Sequence, residues 1–215
     1  MIRIRYIALI ALLCIGVTSI TSTASPGIKD LFKKKNEVAT SVHPDLPSLT
    51  VDENLLIPEL DKKQKIQARK IQKLEADRLS KTEGIEVELL RDEEVIHVTI
   101  AASRLFAPNQ TALLGSADPL LRAILPCMRV PDYYHILLVM HSDDTGNEEY
   151  NYNLTTERVS TIYDWFDNFG ECVDFVVPYA AGSAEPIHPN NTIAGRHANR
   201  RLEIFIIPAE AMFKK

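Results

Sequence analysis

The strongest constraint on the fold of this chain is the order of strand and helix patterns in its C-terminal part. Residues 85–89 alternate apolar and polar side chains with a period of two, and residues 95–100 resume a strand pattern after a short polar break. Two such runs around a short break predict a β-hairpin. Residues 134–140 form a continuous apolar run, which is typical of a central strand covered on both faces. A polar loop is expected to follow it.

Two helices are predicted on either side of that strand. The first contains apolar side chains at helical spacing, namely Leu113, Leu114, Ala117, Leu120, Leu121, Ile124 and Leu125. Pro119 fits best in a first helical turn, so this helix either starts late or is kinked. The second carries an apolar stripe from Val159 to Phe169 and stops at Gly170.

Two more strands are predicted at residues 173–178 and 202–207, the last one after a long loop rich in Gly, Pro and Asn. The order is therefore β-hairpin, helix, strand, helix, strand, loop, strand. This order predicts an α/β fold, a two-layer sandwich of helices packed on a mixed β-sheet, with a βαβαβ core and an N-terminal β-hairpin. We assign residues 83–215 to this domain.

The part before the domain divides into three segments. Residues 1–24 have a basic start, an apolar run and small residues before Ala24, which predicts a signal peptide cleaved after Ala24. A retained anchor stays open, although a spanning helix needs about 20 apolar residues. Leu13 before Cys14 disfavours lipidation, because a lipobox has a small residue there. Residues 25–58 are predicted to be a linker, and residues 59–82 a solvated helical segment that lies alone, against the domain or against a partner.

The net charge of the predicted domain bears on the kind of partner that it can bind. Residues 83–215 contain 10 Lys and Arg against 20 Asp and Glu, a balance of −10. An acidic domain of this kind argues against a nucleic-acid partner, because the phosphate backbone is bound through basic surfaces.

Three sequence blocks, with a short motif before them, carry a resemblance to a known family. They are His141-Ser142-Asp143-Asp144-Thr145-Gly146, then Asn151-x-x-Leu154-Thr155-x-x-Arg158-Val159, then Asn199-Arg200-Arg201-Leu202-Glu203-Ile204, preceded by Leu105-Phe106-Ala107-Pro108. Their order and spacing resemble the OmpA C-terminal family, shared by outer-membrane protein A, the peptidoglycan-associated lipoprotein and a protein of the flagellar stator. That family has the patterns G-H-T-D-x-x-G, N-x-x-L-S-x-x-R-A and N-R-R-V-E-I. The resemblance covers about residues 85–208.

The resemblance implies non-covalent binding of peptidoglycan through the diaminopimelate of its stem peptide. The free end of diaminopimelate carries an ammonium and a carboxylate, so its site needs an anion and a cation. Asp143 would accept from the ammonium, and the Arg158 fork would bind the carboxylate with two parallel hydrogen bonds. One residue follows a strand and the other lies early on the next helix, positions that share the ligand-binding rim of an α/β sheet. The alternative is a structural salt bridge between these two residues.

Three further residues are candidate ligand contacts: Asn151, Arg200 and His141. Asn151 is equally well explained as a helix cap, an alternative that it shares with Asn153. For His141 the alternative is a residue that orders the loop by hydrogen bonds, which is the commoner role. We expect Arg200 near the pocket and Arg201 in an exposed ion pair.

Export leaves the even pair Cys127 and Cys172 in an oxidising compartment. A disulfide and two small buried hydrophobic residues are equally good interpretations. A disulfide requires both cysteines at the same end of the sheet, which follows if the strand after Cys172 is a parallel neighbour of the strand near residue 134.

No catalytic signature is found: the chain lacks both an H-x-x-E-H pairing and a G-x-S-x-G elbow. The sequence therefore predicts a binding protein of the periplasm, associated with the outer membrane or cell wall, that uses neither a cofactor nor a metal. An alternative function is a protein–protein interaction module on the same fold. The N-terminal segment is a candidate for joining an envelope complex.

Overall fold

A computed structural model describes residues 60–128, 133–169 and 175–213. Its strands are β1 (Glu86–Leu90), β2 (Val95–Ala101), β3 (Tyr134–His141), β4 (Val176–Gly182) and β5 (Arg201–Pro208). Its helices are α1 (Lys62–Leu79), α2 (Ala102–Leu105), α3 (Ala117–Met128), α4 (Glu148–Phe169) and α5 (Ile193–Asn199), followed by a 3₁₀ turn at Glu210–Phe213. The predicted signal peptide and linker lie outside the described residues.

The five strands form one mixed sheet in the order β1-β2-β5-β3-β4. Only β3 and β4 pair in parallel; β1 with β2, β2 with β5 and β5 with β3 are antiparallel. The predicted hairpin is β1 and β2, and β3 is an interior strand between β5 and β4. The predicted α/β sandwich on a mixed sheet is therefore confirmed.

The main core lies between the sheet and the helices on one of its faces, here called the first face. Alternate residues of each strand point to this face because side chains on a strand alternate with a period of two. The interior strands and the two long helices after the hairpin contribute fully buried side chains to this core, among them Ile136, Leu138, Ile204, Ile206, Leu121, Ile124, Ile162 and Phe166. This layer fixes where α4 begins relative to the ends of the strands.

Helix α3 starts at Ala117, so Pro119 lies in the first turn, where its missing N–H costs no helical hydrogen bond. The late start that Pro119 suggested is confirmed. Pro126 lies inside the last turn of the same helix.

Three boundaries differ from those that the sequence suggests. Helix α4 begins at Glu148, earlier than either predicted cap. Strand β4 continues through Pro178 to Gly182; β4 is an edge strand, where a proline is tolerated because one side of the strand has no partner. Helix α5 occupies part of the predicted long loop, since Thr192 caps a short helical segment there.

Helix α1 packs against the domain. Asp61 caps it, accepting from the backbone N–H groups of Lys63 and Gln64. In the other direction, Gln64 Oε1 accepts from the Asp61 backbone N–H. Its buried side chains are Ala68, Gln72, Ala76 and Leu79, whereas Leu74 is exposed. Within the described part of the chain, no helix is long and apolar enough to span a membrane.

Gln72 is the polar contact that ties α1 to the sheet. Its Nε2 donates to the Glu94 carbonyl at 3.0 Å and to the Ile206 carbonyl at 3.2 Å, and the residue is fully buried. We expect Gln72→Ala to lower the free energy of unfolding by about 1–3 kcal/mol, because two buried carbonyls lose a donor. Urea unfolding of the variant measures this loss. Gln67→Ala on the exposed face of the same helix is the control, and equal effects of the two changes would contradict the assignment.

Cys127 is a buried free thiol whose Sγ donates to Glu75 Oε1 at 3.0 Å. Burial raises the pKa of Cys127 well above its usual value, and the charge of Glu75 raises it further. The condition for the predicted disulfide is met in part, because β4 is the parallel neighbour of β3. Cys172 itself lies outside the described residues, so the Cys127–Cys172 disulfide stays a prediction.

Candidate functional site

The candidate site lies at the end of the sheet where β3 and β4 finish and β5 begins. Ser142 N donates to the Gly182 carbonyl at 2.8 Å, which joins the ends of β3 and β4, and Ala102 N donates to the Arg200 carbonyl at 2.9 Å beside the start of β5. Helix α4 starts at the same end. We call this end of the sheet the rim.

Asp143 leaves β3 and turns its carboxylate into the rim, where the residue is only 4% exposed. Its Oδ1 accepts from Thr145 N at 2.9 Å, and its Oδ2 forms an ion pair with Arg200 Nη1. Burial alone would raise the pKa of Asp143, but the hydrogen bonds from Thr145 and Arg200 lower it below its ordinary value. The carboxylate is therefore charged at neutral pH.

Arg158 reaches the rim from α4 and is held by the segment between α2 and α3. Its Nε donates to the Gln110 carbonyl at 2.9 Å and its Nη2 to the Ala107 carbonyl at 3.2 Å. The guanidinium lies over the Phe106 ring, 4.9 Å from the centroid. The Phe106-Ala107 motif thus serves as the support that aims Arg158. Burial lowers the pKa of Arg158, an effect that Tyr150 opposes and Arg200 reinforces.

Arg200 is the residue that connects the two. It pairs with Asp143, and its charge acts on Arg158. The alternative of an Asp143–Arg158 salt bridge is wrong for this structure: among the described residues Asp143 pairs with Arg200, and Arg158 donates to backbone carbonyls. The Arg200 side chain is 39% exposed, whereas the Asp143 side chain is 5% exposed, so solvent reaches the ion pair from the arginine.

Asn151 does not cap α4. Asn147 does, since its Oδ1 accepts from Tyr150 N at 2.7 Å and its carbonyl accepts from Asn151 N at 3.0 Å. Asn151 is buried in the first turn of the helix, and its Oδ1 lies 3.7 Å from where a Cβ would stand at Gly146, which has a φ of +100°. The Asn151 side chain therefore lies close to Gly146, in the turn that follows Asp143.

His141 lies on the opposite face of the sheet from the helices and is fully buried. Its Nε2 is 3.4 Å from Glu203 Oε2, and His97 Nε2 is 3.7 Å from the same oxygen. Arg201 Nε donates to Glu203 Oε1 at 2.7 Å. We call these four residues the buried ion cluster.

The expectation of an exposed ion pair at Arg201 is wrong, because Arg201 is 3% exposed. Arg200 precedes β5 and reaches the rim, whereas Arg201 is the first residue of β5 and points under the sheet. Two adjacent arginines in one motif thus serve different faces. Asp144 is exposed, and Asp143 rather than Asp144 accepts the hydrogen bond that forms the turn.

Two residues in the blocks have structural roles that sequence reasoning did not assign. Thr155 Oγ1 accepts from Gly182 N at 3.1 Å and thereby ties α4 to the end of β4. Asn199 is fully buried; its Oδ1 accepts from Ile187 N and His188 N, and its Nδ2 donates to the His188 carbonyl and to Asn190 Oδ1. The Asn199 amide makes these four hydrogen bonds because the loop of residues 187–190 folds around it. This role therefore cannot be predicted from the sequence pattern.

Gly195 is required by the same loop. A Cβ at Gly195 would stand 2.0 Å from the Pro189 carbonyl oxygen and 2.9 Å from Thr192 Oγ1. We expect Gly195→Ala to lower the free energy of unfolding by about 1–3 kcal/mol, because the loop must shift to make room. Urea denaturation of Gly195→Ala and of the control Gly115→Ala, whose Cβ meets nothing within 4 Å, measures the difference. Equal stabilities would contradict this interpretation.

Taken together, the rim presents one buried carboxylate and two guanidinium groups on three different elements. Such a set can bind a ligand that carries an ammonium beside a carboxylate. Among the described residues there is no group of three or more His, Cys, Asp or Glu that could hold a metal ion.

No protein-family model matches this chain. It is 31% identical over 106 residues to the outer-membrane lipoprotein YfiB of Pseudomonas aeruginosa, which is 49% of this chain and 62% of that protein. It is 28% identical over 110 residues to outer membrane protein A of Bordetella avium, 51% of this chain and 57% of that protein. A third relative is the peptidoglycan-binding protein ArfA of Mycobacterium tuberculosis, 35% identical over 66 residues, 31% of this chain and 20% of that protein. The chain thus spans less than two thirds of these relatives.

Solved structures share the fold. A MotB-like protein from Desulfovibrio vulgaris superposes with a TM-score of 0.58 at 21% identity, covering 66% of this chain and 98% of that one. The cell wall anchor of the T6SS from Pseudomonas aeruginosa gives a TM-score of 0.51 at 24% identity, covering 65% and 94%. At these identities the likeness concerns the fold alone.

Proposed function

Since the C-terminal part of this chain is an OmpA-like domain, we propose that the protein binds peptidoglycan non-covalently in the periplasm of a Gram-negative bacterium. The ligand group is the diaminopimelate of the stem peptide. Relatives named for the outer membrane and for peptidoglycan binding support the compartment and the ligand class.

The observation that carries this proposal is the support of Arg158. Two backbone carbonyls and the Phe106 ring hold its guanidinium in the rim before any ligand arrives. A cation that is fixed in advance loses little side-chain entropy on binding a carboxylate. Asp143 supplies the negative group for the ammonium, and each carboxylate oxygen has a second lone pair beyond the bonds to Thr145 and Arg200.

A second candidate function has one observation in its favour. Arg200 already pairs with Asp143, so the anion of the site is partly neutralised within the chain. A rim closed in this way would suit a domain that serves as an interaction module for an envelope protein. For peptidoglycan binding, Arg200 must move aside or stay as a third contact to the ligand.

Binding to isolated sacculi tests the proposal. The exported chain should co-sediment with sacculi that contain diaminopimelate, and free diaminopimelate should compete for binding. Sacculi with lysine at the same position are the control, because lysine lacks the second carboxylate that Arg158 would bind. Equal binding to both kinds of sacculi would reject diaminopimelate recognition, and no binding to either would favour the interaction module.

A further inference from the structure

The rim carries one positive group more than the free end of diaminopimelate requires. That end has one ammonium and one carboxylate, and Asp143 and Arg158 already supply one group for each. Arg200 adds a second guanidinium, which pairs with Asp143 and whose charge acts on Arg158. Two guanidinium groups and one carboxylate match a ligand that offers two carboxylates and one ammonium.

No other acid of the rim neutralises the second guanidinium. Three further acids lie in the loop after β3 and in the first turn of α4, and all are exposed: Asp144, Glu148 and Glu149. Within the described part of the chain, none of the three forms an ion pair with Arg158 or Arg200. The Tyr150 phenol and Arg200 are the titratable groups that act on Arg158. The charge of Arg200 is therefore balanced by Asp143 alone.

Arg200 also keeps most of its hydrogen-bonding capacity. A guanidinium has five N–H donors. Among the described residues, only Nη1 of the Arg200 guanidinium has a partner, which is Asp143 Oδ2. Arg158 differs, because its Nε and Nη2 both donate to backbone carbonyls. Arg200 can therefore hold Asp143 and bind an anion of the ligand at the same time.

The position of Arg200 is fixed on both sides. Its backbone N–H donates to the Arg196 carbonyl at 3.1 Å, and its carbonyl accepts from Ala102 N at 2.9 Å. These bonds tie the residue to the end of α5 and to the start of α2. The ion pair holds the guanidinium beside Asp143, the group that would bind the ammonium. A cation restrained in this way loses little entropy when an anion binds.

We infer that Arg200 binds a second carboxylate of the ligand, so that the rim selects stem peptides that end at diaminopimelate. One of the two amino-acid ends of diaminopimelate is free, and the other belongs to the peptide chain. The carboxyl group of the second end is an amide where further residues follow and a carboxylate where none follow. Such stems arise when a peptidase hydrolyses the amide bond after diaminopimelate. This inference rests on the proposed function, because it concerns the same ligand at the same site.

A longer stem does not offer this match. Its terminal carboxylate lies one residue farther along, about 3.3–3.6 Å of extended chain. Arg200 stays beside Asp143, so it meets the neutral amide that follows diaminopimelate. A hydrogen bond from a guanidinium to a carboxylate is roughly twice as strong as one between neutral groups. Stems that end at diaminopimelate should therefore bind more tightly.

Isothermal titration of the full exported chain with two peptides tests the inference. The first is L-Ala-γ-D-Glu-diaminopimelate, and the second is the same tripeptide with a carboxamide in place of the carboxylate at the end of the chain. The acid should bind about 5-fold or more tightly than the amide, because only the acid offers Arg200 an anion. In Arg200→Gln this preference should fall below about 2-fold, because glutamine donates hydrogen bonds without a charge.

Arg104→Gln is the matched control. It removes an exposed arginine from α2, the helix that adjoins Arg200, and should keep the full preference for the acid. Since the two peptides are compared within each variant, a general loss of affinity does not change the ratio.

The outcomes separate this inference from the proposed function. Equal binding of acid and amide by the unaltered chain would overturn the inference and leave peptidoglycan binding in place. An unchanged preference in Arg200→Gln would also overturn it. Tighter binding of both peptides by Arg200→Gln would show that Arg200 competes with the ammonium for Asp143, which contradicts the inference as well. Binding of neither peptide by the unaltered chain would reject the proposed function itself.

Discussion

Replacing Arg158 with alanine is expected to abolish most sacculus binding, with at least about a 30-fold loss of affinity. The reason is that the carboxylate of the ligand loses its only fixed cation, and truncating one side of a buried charge pair typically costs about 2–5 kcal/mol of binding. Asp143→Ala should have an effect of similar size, because it removes the acceptor for the ammonium. Co-sedimentation with sacculi at increasing protein concentration measures both losses.

Two further variants separate ligand contact from structural damage. Arg158→Lys keeps a positive charge but lacks the planar fork, so it should bind nearly as weakly as Arg158→Ala. Asp143→Asn keeps an acceptor for Thr145 N and therefore the turn, but it loses the charge. Arg122→Ala, an exposed residue paired with Asp118, is the control and should bind normally. Normal binding by Arg158→Ala and Asp143→Ala, with unchanged circular dichroism, would rule out the rim as the ligand-binding site.

The largest loss of stability is expected at Glu203. Its carboxylate meets Arg201, His141 and His97 within the buried ion cluster. Glu203→Gln removes the counter-ion of the buried Arg201 charge, which then keeps only neutral acceptors, namely the new amide oxygen and the backbone carbonyls of Glu185 and Asn199. Breaking a buried pair in this way costs about 3–5 kcal/mol. Urea unfolding at pH 7 should show this loss, whereas Glu88→Gln on exposed β1 should change stability by less than about 1 kcal/mol.

The pH dependence of stability provides a second measurement on Glu203. Burial would raise its pKa, but the interactions with His141 and His97 and the charge of Arg201 hold it well below the usual range. A carboxyl with a lowered folded-state pKa contributes stability at pH values above its unfolded pKa of about 4.3, and this contribution is lost as pH falls further. The unaltered protein should therefore lose stability below about pH 4.3 more steeply than Glu203→Gln. Parallel curves would contradict the role of this carboxylate.

Local patterns were enough to predict the layer architecture and the position of the three sequence blocks at one end of the sheet. Alternation with a period of two is a direct consequence of strand geometry, so the hairpin and the later strands could be located within a few residues. Pro119 left a late start or a kink open, and α3 has the late start, because proline removes an N–H that only a first turn can spare. The rim followed only in part: Asp143 comes after a parallel strand as predicted, whereas Arg158 lies in the middle of α4 rather than early on it, because the helix begins at Glu148.

Other assignments depended on which face of the sheet a residue occupies. A shift of one position along a strand moves a side chain to the opposite face. Arg200 and Arg201 are adjacent, yet one reaches the rim and the other is buried under the sheet, because β5 begins between them. For the same reason His141 lies beside Glu203 on the face of the sheet opposite the helices, while Asp143, two residues later and outside β3, turns into the rim.

The elements, their order and the three blocks depend on neighbours along the chain, so local patterns are enough to predict them. The interaction partners depend on packing in three dimensions: Arg200 for Asp143, backbone carbonyls for Arg158, and Asn147 rather than Asn151 as the cap of α4. Each of these pairings is selected by distance in space among several groups of suitable chemistry. The chemistry of a polar side chain limits the kinds of group that it can bind. The packing of the sheet, helices and loops then determines which of those groups lies within reach.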